Sequence, residues 1–161
     1  MSGNAPKISP AKLQSARIAI ISASWHKEIC DALVAGSRRA LQESGVSQVE
    51  VSHVAGSFEL PLAAQYALKA GADAAIVLGV VLRGETPHFD YVCQGVTDGV
   101  MRVSLDLDKP IGFGVLTVDT IEQAIARSGV AGSKEDKGYD SAIAALDLLR
   151  VKRELGEKFS N

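Results

Sequence analysis

Ala74-Ala75-Ile76-Val77-Leu78-Gly79-Val80-Val81 is apolar at every position. A strand with one face in water alternates polar and apolar residues, so an unbroken run of this kind belongs to a strand covered on both faces, as in a parallel sheet. Ile18-Ala19-Ile20-Ile21 upstream and Ile111-Gly112-Phe113-Gly114-Val115-Leu116 downstream carry the same signature. Val49-Glu50-Val51-Ser52-His53-Val54 alternates and is read as an edge strand.

Between these runs the period lengthens to that of a helix. Ile29, Leu33, Gly36 and Ala40 fall on one helical stripe, as do Phe89, Val92, Val96, Val100, Val103 and Leu107. A less regular stripe runs through Leu62, Tyr66 and Lys69, and a last one through Ala142, Ala145, Leu146 and Leu149. Strand and helix therefore alternate as βαβαβαβα. Right-handed crossovers turn that order into a parallel sheet between two helical layers. The expected fold is α/β, a single-domain flavodoxin-like three-layer α/β/α sandwich with a four-stranded parallel sheet. In such a sheet ligands bind beyond the carboxyl ends of the strands, where the strand order reverses. The candidate loops are Ser22 to His26, Ala55 to Glu59, Leu82 to His88 and Thr117 to Thr120.

The chain of 161 residues suffices for one domain with its own core. Residues 1–13 hold Gly3, Pro6 and Pro10 without periodicity and are expected to form a flexible arm, leaving 14–161 as the domain. A net charge of −2 gives no basic field for nucleic acid. Gly or charge interrupts every apolar run well short of the roughly 20 residues a membrane helix needs. Cys30 and Cys93 fit no CxxC or metal-ligand spacing, and the first residues show no secretory signal pattern, so the expected compartment is the reducing cytoplasm. A GxGxxG turn, a P-loop, a GxSxG elbow and a zinc-ligand cluster are all missing from the sequence.

The loop Arg83-Gly84-Glu85-Thr86-Pro87-His88-Phe89-Asp90 is the most informative. Thr86 suits an N-cap and Pro87 the first helical position, so a helix is expected to begin here with free N–H groups facing the crevice. Such an end attracts anions, Gly84 permits close backbone approach and the Thr86 hydroxyl adds a donor. The same pattern also marks an ordinary capped turn. His88 falls in the first helical turn, where the dipole favours the neutral imidazole, and is the candidate general acid/base. His26 sits at the same edge as a second candidate, whereas His53 lies inside the edge strand and is read as structural.

Gly56-Ser57-Phe58-Glu59 precedes Pro61, so a second helix is expected to start beside an aromatic ring and a carboxylate. Glu59 could accept from the N–H groups of a polar heterocycle while Trp25 stacks on its ring. Helix-dipole complementarity for Glu59, and ordinary packing for Trp25 and Phe58, are the plainer readings. Arg127 precedes a Gly-rich charged stretch, Ser128 to Gly138, that reads either as a solvated linker or as a phosphate clamp reaching across a subunit boundary. Cys93 lies on the apolar face of its helix and is read as a core residue.

Ala55-Gly56-Ser57-Phe58-Glu59-Leu60-Pro61 and Gly79 to Cys93, followed in order by Ile111 to Thr117 and Lys137-Gly138, resemble the lumazine synthase family over almost the whole domain. The resemblance implies a transferase of riboflavin biosynthesis. Its reaction condenses 5-amino-6-(ribitylamino)uracil with 3,4-dihydroxy-2-butanone 4-phosphate to give 6,7-dimethyl-8-ribityllumazine, phosphate and water. It implies no metal and no cofactor. Carried over, Trp25, His26, Ser57, Phe58, Glu59, Val81, Leu82, Phe113 and Lys137 would bind the pyrimidine and its ribityl chain. Gly84, Glu85, Thr86 and Arg127 would hold the phosphate, and His88 would move protons.

In the family, Phe113, Arg127 and Lys137 come from the adjacent subunit, so a homo-oligomer is implied. Two departures stand out. His26 occupies a place where many members have Asn. Gly129 to Lys137 is longer than the link found in shell-forming members and lacks its sequence, so a pentamer is expected, with a decamer of stacked pentamers open. The alternative from another class is a non-catalytic riboflavin- or lumazine-binding protein on the same fold, which the presence of His88 and Arg127 disfavours.

Overall fold

A computed structural model describes residues 12–160. Strands β1 (Arg17–Ala23), β2 (Gln48–Val54), β3 (Ala74–Leu82) and β4 (Ile111–Val118) form one parallel sheet in the order β2-β1-β3-β4. Helices α1 (Lys27–Glu43) and α5 (Lys137–Phe159) cover one face, and α2 (Leu60–Lys69) and α3 (His88–Leu107) the other, with the short α4 (Ile121–Ile125) following β4. This is the expected three-layer α/β/α sandwich.

The central strands show why their sequences are unbroken. Ile18, Ile20, Ile76, Leu78 and Val80 enter the core shared with α1 and α5, while their neighbours Ala19, Ile21, Ala75, Val77 and Val81 enter the core under α2 and α3. Every residue is inside because both faces are covered. β2 is an edge strand, as its alternation suggests, and His53 lies within it but exposed. The chain moves one way from β1 to β2, then crosses back past β1 to β3. With right-handed crossovers this puts α1 and α2 on opposite faces and sets the reversal point between β1 and β3.

The stripes expected on α1, α3 and α5 are the inward ones. The stripe on α2 is corrected: Leu60, Ala64 and Leu68 are buried, whereas Leu62 and Tyr66 are exposed. Close approach to α3 decides this. Pro61 rests on Gly99, where an added Cβ would come within 2.8 Å of the proline ring, so a small residue such as Ala64 belongs on the inner stripe. On the opposite face α1 meets α5 through Gly36, Ser37 and Gly138, and the buried Ser37 hydroxyl donates to Gly138 O at 2.8 Å.

Residues 1–11 of the expected arm lie outside the described residues. Leu13 is described and is buried in the α1/α5 core, with its N–H on Ser44 O at 3.2 Å.

Candidate active site

The reversal point brings the turn after β1 next to the loop after β3. β1 ends at Ala23, paired with Val54 at the end of β2, and β3 ends at Leu82, paired with Val118 of β4. Ser24 Oγ donates to Val54 O at 2.7 Å and closes the first of these ends.

Trp25 follows with its ring against Gly56, where an added Cβ would be 3.5 Å from the indole Cδ1. The residue is otherwise 68% exposed. His26 adopts the left-handed conformation (φ 54°, ψ 54°) at the N-cap of α1. Asn, Asp and His tolerate this conformation better than other side-chain-bearing residues. The Asn expected here from the resemblance and the His found therefore share a backbone requirement.

Ser57, Phe58 and Glu59 form a single 3₁₀ turn leading into α2. Glu59 Oε2 accepts from Gly56 N–H at 2.8 Å, so its carboxylate serves the turn while its second oxygen remains available. Phe58 lies over Gly95 of α3 and is 61% exposed. Gly95 is two turns from His88 on the same helical face, so the Phe58 ring sits about 10 Å along the axis from His88. Ser57 is buried against Gly79, and its Oγ is a buried polar atom without a hydrogen-bond partner among the described residues. Val81 and Leu82 complete the end of β3, with Val81 buried and Leu82 half-buried.

The start of α3 differs from expectation. Pro87 holds the N-cap position (φ −64°), His88 is the first helical residue, and among the described residues no side chain caps the end. Thr86 is therefore not the N-cap. Proline is already set to a helical φ and loses nothing by lacking an N–H at an end where N–H groups are free in any case. Gly84 to His88 are all exposed, and an added Cβ at Gly84 would meet nothing within 4 Å. The result is an open helix N-terminus with the Thr86 hydroxyl uncommitted to capping, a setting that favours an anion.

Among the described residues no hydrogen bond or ion pair joins Arg127 or Lys137 to the residues of this crevice. Phe113 pairs with Val77 in mid-sheet, about 16 Å short of the carboxyl edge at the usual strand rise. Arg127 follows α4, and its Nη1 donates to Gln123 O at 2.9 Å. Lys137 N–H donates to Arg127 O at 2.9 Å, so the Gly-rich stretch folds back as a turn rather than trailing as a linker. Arg127, Lys134 and Glu135 line a shallow cavity of about 340 Å³ there. The Glu135 carboxylate, 2.7 Å from Lys137 Nζ, holds the lysine above its ordinary range and is itself held below the usual carboxylate range.

Sequence reasoning missed Arg83. Its Nε donates to Asp119 Oδ1 at 2.7 Å, its Nη1 to Asp90 Oδ1 at 3.3 Å, and its guanidinium lies 4.1 Å from the Phe89 ring centroid. The sequence offered one signal, an arginine and an aspartate bracketing His88. Cys30 is buried, which pushes its thiol up to about 11, and burial also raises the half-buried Cys93, so neither is poised as a nucleophile.

A parallel α/β sheet with aromatic surfaces, a carboxylate, an open helix N-terminus and a histidine around its reversal point has the form of an enzyme acting on small polar molecules. The 6,7-dimethyl-8-ribityllumazine synthase family model matches residues 15–153, and the chain belongs to that family. Proteins named 6,7-dimethyl-8-ribityllumazine synthase from Streptomyces avermitilis and Streptomyces coelicolor are 49% and 48% identical to it over 158 residues, 98% of each chain. The one from Frankia casuarinae is 54% identical over 140 residues, 86% of this chain and 87% of its own. Among the described residues no helix is long and apolar enough to cross a membrane.

Proposed function

We propose that this protein condenses 5-amino-6-(ribitylamino)uracil with 3,4-dihydroxy-2-butanone 4-phosphate to 6,7-dimethyl-8-ribityllumazine, releasing phosphate and water. The observation that carries the reading is the meeting of two family motifs at one sheet edge. Gly56 to Glu59 and Gly84 to His88 flank the β1/β3 reversal point in a chain nearly half identical to its named relatives over almost its whole length.

The chemistry suits residues of this kind. The substrate's own amine attacks the ketone, so no protein nucleophile is needed, and the catalyst's work is to align two molecules and move protons. Trp25 and Phe58 stack the pyrimidine, Glu59 and Ser57 hold its polar edge and ribityl chain, and the backbone at Val81 and Leu82 lines the floor. His26 joins the ribityl side. The phosphate rests on the free N–H groups and the hydroxyl at Gly84, Glu85 and Thr86. His88 takes the ammonium proton, donates as the carbinolamine loses water, and assists phosphate departure and the dehydrating ring closure.

The proposal includes a homo-oligomer, a pentamer, in which Phe113, Arg127 and Lys137 of one subunit complete the crevice of the next. The mid-sheet place of Phe113, and the exposure of Leu62, Tyr66, Met101 and Leu105, support that assembly. Free thiols at Cys30 and Cys93 suit a reducing cytoplasm.

The test is absorbance-monitored turnover with both substrates, with the product identified by mass spectrometry and the particle mass measured on the same sample. Acceleration above the uncatalysed background is expected. A folded, assembled sample without acceleration would replace the proposal with a flavin-binding role.

A further inference from the structure

We infer that Arg83 is a positioning residue for the proton-transfer step, bracing the turn that carries His88 against the end of β4. The inference rests on the reading of His88 given above and adds a residue to it.

Three contacts from two elements converge on this guanidinium. Phe89 and Asp90, the two residues after His88, take its face and one N–H, and Asp119, just past β4, takes Nε. The Arg83 N–H also donates to Val118 O at 2.9 Å, so backbone and side chain both tie the loop to β4. Asp119 is fixed in turn, because its N–H donates to Gln123 Oε1 at 3.0 Å. The end of β4 thus provides an anchor, and the first turn of α3 is tied to it by an arginine.

That turn needs such a brace. Among the described residues it has no side-chain cap, and Gly84 to His88 are exposed. Without the Arg83 side chain the residues next to His88 keep the helical bonds of α3, among them Asp90 N–H to Pro87 O at 3.0 Å, and the partial burial of Phe89, but lose the side-chain tie to the end of β4. Proton transfer requires a heavy-atom separation of about 2.6–3.2 Å, so a small loss of order in this turn acts on turnover before it acts on binding.

Arg83 is not itself a free phosphate countercharge. Two carboxylates already engage it, leaving the local group at net negative charge, and its planar fork is used on both while its face is stacked. Lysine cannot reproduce that set of contacts, having neither the fork nor the flat face.

The test compares Arg83→Lys, Arg83→Met and Asp119→Asn with the parent and with His88→Ala in the assembled protein. Steady-state kinetics are run against both substrates across pH, and active sites are counted by stoichiometric binding of the lumazine product. Arg83→Met is expected to lower kcat per bound site by about tenfold to a hundredfold, the scale of a 1 Å misplacement, with KM for both substrates within about threefold of the parent. Arg83→Lys should recover little of the loss, and Asp119→Asn should move kcat in the same direction by less. If Arg83→Met does not assemble, Asp119→Asn alone decides the question by the same split.

A parent-like kcat in Arg83→Met or Asp119→Asn while His88→Ala is slow overturns the brace and leaves the role of His88 standing. A raised KM confined to the phosphorylated substrate overturns it in favour of direct phosphate contact. Full recovery by Arg83→Lys overturns the geometric argument in favour of charge alone. Failure of the reading beneath it would look different, as a parent without turnover or a His88→Ala variant as fast as the parent.

Discussion

Replacing Gly138 by Ala should destabilise the protein, although Ala is the better helix former. Gly138 lies in the first turn of α5, and an added Cβ would overlap Leu33 O and lie 2.7 Å from Leu33 C and Cα, all backbone atoms of α1. Carbon atoms in contact sit about 3.5–4.0 Å apart, so the helices must separate by roughly 1 Å. Overpacking of this kind costs about 1–3 kcal/mol. The separation also stretches the buried Ser37 hydroxyl bond to Gly138 O, worth about 1 kcal/mol. Helix propensity returns at most about 1 kcal/mol. The net expectation is a loss of about 1–3 kcal/mol, a fall in Tm of about 2–12 °C for a chain of this length. Thermal unfolding of both proteins at equal protomer concentration measures it, since assembly shifts apparent stability. A Tm for Gly138→Ala equal to or above the parent would refute the claim that backbone contact, rather than helix propensity, sets this position.

Other substitutions probe the site and its frame. Arg127→Ala should raise KM for the phosphorylated substrate far more than it weakens binding of a pyrimidine analogue; equal losses in calorimetric titration and kinetics would remove its phosphate role. His88→Ala should slow turnover by about 10²–10⁴-fold, the usual contribution of general acid–base catalysis, while sparing ligand binding, and a parent-like rate would assign proton transfer to solvent. At His26 the left-handed backbone makes Asn neutral and Val costly by about 1–2 kcal/mol, to be read from urea unfolding. Burial works to raise the Asp73 carboxyl, but the Arg17 backbone N–H and guanidinium outweigh it and hold the group below its ordinary value. Its stabilisation is therefore present above the unfolded carboxylate pKa and lost as pH falls through the depressed folded one. The deficit of Asp73→Asn in unfolding titrations should be largest near neutrality and vanish in strong acid.

The parts of this molecule legible in its sequence are those governed by burial. Ile76, Val77 and Leu78 declare a central strand because water touches neither face, and the carboxyl ends of such strands declare where a ligand can sit. Where two exposed readings compete, apolarity misleads. Leu62 and Tyr66 outrank Ala64 in hydrophobicity, yet Ala64 faces inward because Pro61 brings α2 hard against Gly99. Thr86 is the better capping residue, yet Pro87 takes the cap. Arg83 and Asp119 are 36 residues apart and meet only because β3 and β4 end side by side, a fact of topology that no local window contains.

One further signal was present and carries across levels. Glycine inside a helix costs about 1 kcal/mol relative to Ala, so Gly36, Gly95, Gly99 and Gly138 each record something that stands too close for a side chain. Gly36 and Gly138 set α1 against α5, while Gly95 and Gly99 set α3 under Phe58 and Pro61. Phe58 is then seated on the face of α3 that carries His88 by the same close contact that excludes a methyl group at Gly95. A change there, such as Gly95→Ala, should disturb the ring that stacks the pyrimidine before it disturbs the distant α1/α5 core, so pyrimidine affinity should fall further than stability. A drop in Tm with affinity intact would mean that Phe58 finds its place without the glycine.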